Sequence, residues 1–80
     1  MEVDVKKLLT EVPQVSSIEV IYFEYVGKYE YFFKVHGILA KETYEKIIET
    51  AKKHGLKFKH LTSAYDCLNL VFEEVDSTSV

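Results

Sequence analysis

Arginine is absent from these 80 residues; all ten basic side chains are lysine. Arginine is the usual source of bidentate contacts to phosphate and guanine, so its absence weighs against sequence-specific nucleic-acid recognition. A lone cysteine, Cys67, excludes an intrachain disulfide and any CxxC motif. It fits a reducing compartment, and the cytoplasm is the expected location. The three glycines stand singly at 27, 37 and 55, so there is no Gly-rich phosphate loop. Gln14 and Asn69 are the only amide side chains, and such scarcity beside many Lys and Glu is the composition of heat-adapted proteins. The longest near-apolar run, 20–23, is strand-sized. Met1-Glu2-Val3-Asp4 shows no basic stretch leading into an apolar one. Neither a signal peptide nor a membrane span is expected.

What is present describes a folded chain. Apolar residues make up 48% and aromatics 14%, too rich for disorder, while the net charge is only −3. At this length one domain is expected, with a thin core that buries roughly 60% of the unfolded surface. The domain is placed at 1–75, followed by a polar, frayed tail at 76–80.

Val5, Leu8, Leu9 and Val12 recur at i, i+3, i+4, i+7 and predict a short helix. Asp4 suits its N-cap, and Pro13 disfavours helical geometry at Val12. Segments 18–26 and 29–35 are rich in β-branched and aromatic residues and predict two strands. Gly27-Lys28 between them predicts a two-residue hairpin turn with Val26 opposite Tyr29. That register places Glu19 opposite His36, Ile21 opposite Lys34 and Phe23 opposite Phe32. A second helix is predicted over 40–54, its inward stripe formed by Ala40, Tyr44, Ile47, Ile48 and Ala51 and its end at Gly55. Strands are predicted over 56–61 and 67–75, with 62–66 as a loop. The core should hold Val20, Phe33, Tyr44, Ile48, Phe58 and Leu70.

The fold class is therefore α+β in αββ-αββ order. The simplest packing is a four-stranded, mainly antiparallel sheet with both helices on one face. If strands two and three lie parallel in that sheet, their connection should be a right-handed crossover. Homing endonucleases of the LAGLIDADG class share this element order. The first helix here reads VKKLLTEVP, without paired glycines or a terminal Asp, so the likeness is one of topology alone.

No constellation of catalytic residues stands out, and no cofactor or metal is expected. His54, His60 and Cys67 lack the spacing of a zinc site, so they read first as ordinary surface or half-buried residues. A Glu19–His36 pair resembles half of a catalytic dyad, but no nucleophile joins it, and a cross-strand charge pair is the plainer reading. Cys67 flanks an apolar strand and reads as a small hydrophobe.

Two surfaces remain. Lys52, Lys53, Lys57, Lys59 and His60 fall close together in an acidic chain and form a candidate phosphate-attracting edge. Helix-end lysines also complement the macrodipole, and edge-strand lysines prevent edge-to-edge aggregation, which explains the same cluster without a ligand. The other surface is the hairpin, apolar on both faces. With helices over one face, Ile21, Phe23, Tyr25 and Phe32 form a patch on the other that monomers rarely leave open. The leading expectation is thus a non-enzymatic protein-interaction module. Its partner would be a second copy of itself or another protein. The alternative is an accessory nucleic-acid binder using the basic edge.

Overall fold

The Asp4 carboxylate accepts a hydrogen bond from the Lys7 backbone amide at 3.1 Å, closing the N-terminus of the first helix. In this computed structural model, which describes residues 3–63 and 65–75, the elements follow in the order α1 (Val5–Glu11), β1 (Ser17–Phe23), β2 (Lys28–His36), α2 (Lys41–Lys53), β3 (Leu56–Ser63) and β4 (Cys67–Glu74). The tail expected at 76–80 lies outside the described residues. The third strand is longer than its alternation suggested. It runs to Ser63, because Thr62 and Ser63 continue pairing with Asn69 and Leu68.

The four strands form one antiparallel sheet in the order β1-β2-β4-β3. β2 and β3 point the same way, since each is antiparallel to β4, which lies between them. The link through α2 therefore passes over β4. Gly55 ends α2 as its sequence implies. It takes φ +81°, and its amide donates to the Lys52 carbonyl at 3.1 Å.

The hairpin turn differs from the expected one. Phe23 pairs with Lys28, leaving 24–27 as a four-residue turn in which Gly27 takes φ +67° and donates to the Phe23 carbonyl at 2.8 Å. Tyr29 consequently faces Tyr22 rather than Val26, a displacement of four residues. An even shift keeps every side chain on its original face, so hydrophobic alternation is satisfied by both registers and the turn decides between them. Three pairings change as a result. Glu19 lies opposite Phe32, Ile21 opposite Glu30, and Phe23 and Phe32 are not cross-strand partners.

Leu8 and Val12 of α1 and Ile47 and Ala51 of α2 join Tyr31, Phe33, Val35, Leu56, Leu70 and Phe72 in one core. Phe33 and Phe72 meet at 4.5 Å between ring centroids, and Phe58 links Phe72 to Tyr44 by edge contacts. His54 at the end of α2 bonds the Glu11 carboxylate at 2.8 Å and ties the two helix ends together. Val20 departs from expectation. It points to the helix-bearing side, yet is 41% exposed. The cause is length: α1 has seven residues and spans about 10 Å, whereas the nine residues of β2 extend about 30 Å. The helix layer covers the root of the hairpin and not its tip.

Candidate interaction surface

Ile21, Phe23, Phe32 and Val71 share the sheet face opposite the helix-packed core and are not part of it. Ile21, Phe23 and Phe32 are half-buried, and Val71 is fully buried between its neighbours Phe32 and His60. Tyr25 lies in the turn, 86% exposed, with its ring edge-on to Phe23 at 6.0 Å. Of the four residues expected to form a patch, the structure therefore places three on one face and stacks the fourth at its margin.

Charge runs through this face. Glu30 and Glu73 are direct cross-strand partners, and Lys57 is in turn the partner of Glu73. A β-bulge after Phe58 leaves Lys59 without an opposite residue. Its ammonium bonds Glu30 and also approaches Glu73 at 3.8 Å, while Lys57 reaches Glu73 at 3.5 Å. Towards the root, Lys34 meets Glu19 at 3.6 Å. The Lys59 pKa is raised above its ordinary 10.5, chiefly by the hydrogen bond to Glu30, with the charges of Glu30 and Glu73 adding and desolvation opposing. The sign is that of a cation gaining a partner in the folded state. The pairing stabilises the fold below pH 10.5, and the benefit is lost as pH rises through the elevated value.

Lys59 thus separates two carboxylates that face each other. Replacing it with alanine should lower the melting temperature at neutral pH, and added salt should narrow the deficit by screening the repulsion between the two carboxylates. Thermal melts of parent and variant at low and high salt check this. Equal melting temperatures at low salt would show that the lysine does not mediate between Glu30 and Glu73.

The residues of the expected basic edge are dispersed in role. Lys52 and Lys53 occupy the last turn of α2, where they complement its dipole. Lys57 and Lys59 are paired with acids, and His60 stands exposed on β3 opposite Val71. The Glu19–His36 arrangement is not formed. His36 is instead the partner of Cys67, and its Nδ1 lies 3.3 Å from the Asp66 carbonyl oxygen. Cys67 is a free, half-buried thiol. Among the described residues no group of three or more His, Cys, Asp or Glu is placed to hold a metal ion. No helix among them is long and apolar enough to cross a membrane.

Sequence reasoning missed the helix-side surface at the hairpin tip. Val20, Tyr22 and Tyr29 are 41%, 49% and 46% exposed, with the two tyrosine rings 4.8 Å apart. The signal was available in the element lengths, because a stripe from Val5 to Val12 is too short to shield the far end of such a hairpin. Comparison with known families, characterised proteins and solved structures finds no match.

Proposed function

We propose that this domain is a non-enzymatic protein-interaction module that homodimerises through its β1–β2 hairpin, using Ile21, Phe23, Tyr25 and Phe32 together with the tip. The observation that carries this reading is where apolar surface remains open. Val20, Tyr22, Tyr25, Val26 and Tyr29 are all at least 41% exposed within ten consecutive residues. Ile21, Phe23 and Phe32 lie beside them, outside the core. A concentration of this kind marks an association site more often than a solvated surface.

The test is the solution mass by sedimentation equilibrium, for the parent and for a Phe23→Glu, Phe32→Lys variant. In the observed register the new glutamate faces Lys28 and the new lysine faces Glu19, so the hairpin keeps its pairing. The parent should be dimeric in the micromolar range, and the variant should dissociate at least tenfold more readily, equivalent to about 1.4 kcal/mol. A parent that stays monomeric at high micromolar concentration ends the reading.

A further inference from the structure

The sheet has two edges, and they are built differently. β3 carries Lys57, Lys59 and His60 and is interrupted by a bulge, both of which obstruct pairing with another strand. β1 has none of these protections. Its sequence SIEVIYF contains no proline and no lysine, and its pairing with β2 is continuous from Ser17 to Phe23. Its one charge, Glu19, is matched by Lys34 at 3.6 Å. Among the described residues, no strand pairs with its outer side. A long edge of this kind, apolar along its helix-bearing face and at Ile21 and Phe23 on the other, is a template for another strand.

We infer that the occupant of this edge is β1 of a second copy, paired antiparallel about a two-fold axis at Val20. This deepens the homodimer reading and rests on it. The axis position follows from the strand itself. Val20 is the midpoint of Ser17–Phe23, so an axis there pairs all seven residues. Antiparallel partners share a face. On the helix-bearing side, Val20 therefore meets Val20 of the second copy, and Ile18 meets its Tyr22. On the open side, Glu19 meets Ile21 of the second copy, and Ser17 meets its Phe23. An axis at Glu19 would set two glutamates directly opposite, which is destabilising. An axis at Ile21 would leave Ser17 without a partner in the strand.

The exposed Val20 and Tyr22 become cross-strand contacts, and two four-stranded sheets become one of eight strands with all four helices on one side. Both outer edges are then β3, with its bulge and lysines. A bulged edge that carries lysines is a poor template for a further strand, so the assembly closes as a dimer and does not propagate as a fibre.

Cysteine cross-linking tests the arrangement, with Cys67→Ser as background. Val20→Cys, placed on the axis and 41% exposed in the monomer, should give nearly complete disulfide-linked dimer under mild oxidation. Asn69→Cys, on the open face two strands in and outside the apolar patch, and Leu61→Cys, 47% exposed on the opposite edge, should remain monomeric on a denaturing gel. Sedimentation of each reduced variant checks that it still assembles like the parent. Cross-linking through Asn69→Cys without Val20→Cys would mean a face-to-face dimer, so the edge pairing falls while the interaction module stands. Cross-linking through Leu61→Cys alone would move the contact to β3, and again only the β1 pairing would fall. Monomeric mass with no cross-link at any position would end both, and would point to a peptide strand from a different protein as the candidate for the β1 edge.

Discussion

Truncating Phe33 to alanine is expected to remove a large share of the stability of the fold. Phe33 is fully buried on the central strand β2, its ring tilted against that of Phe72 at 4.5 Å, with Ile18 and Leu70 as its cross-strand neighbours. Removing a ring from such a site costs about 3–5 kcal/mol, through lost transfer energy and the cavity left behind. At about 0.05–0.15 kcal/mol per residue, a domain of this length has about 4–12 kcal/mol in total. On α2 the same experiment reads helical phase. Ile47 is fully buried whereas Ile48 is only partly so, and Ile47→Ala should be the more damaging of the two. Urea denaturation measures all three. An unchanged midpoint for Phe33→Ala would place the core elsewhere.

Val71→Asp should be as severe, although no helix shields that residue. Val71 is fully buried on the open face, enclosed by Phe32 on one side and His60 on the other. An aspartate there loses its hydration and lies two residues from Glu73, so it must either neutralise or open the sheet, at a cost of several kcal/mol. Val20 supplies the contrast. It is on the helix-bearing face and 41% exposed, so Val20→Ala should change stability by less than about 1 kcal/mol in the monomer. Measuring both by chemical denaturation below the dissociation constant of any dimer separates the two positions. Equal losses would show that helix cover, rather than local side-chain enclosure, determines burial in this sheet.

These two valines mark where sequence reasoning stopped. Helix and strand identities were legible because their periods differ, and the face of each hairpin residue was legible because alternation survives an even register shift. The shift itself was not legible. Gly27 supports a left-handed conformation in a two-residue or a four-residue turn, and only backbone hydrogen bonding distinguishes them. With the register displaced, the Glu19–His36 pair dissolved, and Phe23 and Phe32 drew apart. The role of the lysines was hidden for a related reason. That Lys57 and Lys59 reach Glu73 and Glu30 depends on β4 lying between β2 and β3, and on the bulge that redirects Lys59. Neither is encoded in local pattern.

The short first helix has one further consequence, for motion. Phe33 and Val35 are buried towards the hairpin root whereas Tyr22 and Tyr29 at its tip are exposed, so the molecule has a gradient of local stability along a single pair of strands. Opening the tip around 22–29 exposes little that was not already exposed. Opening the root separates Phe33 from Phe72 and requires global unfolding. Backbone amides near Phe33 should therefore exchange with solvent only at the free energy of complete unfolding, and those near Tyr29 through small, frequent fraying events. The end expected to open most readily is therefore the one with apolar side chains to offer.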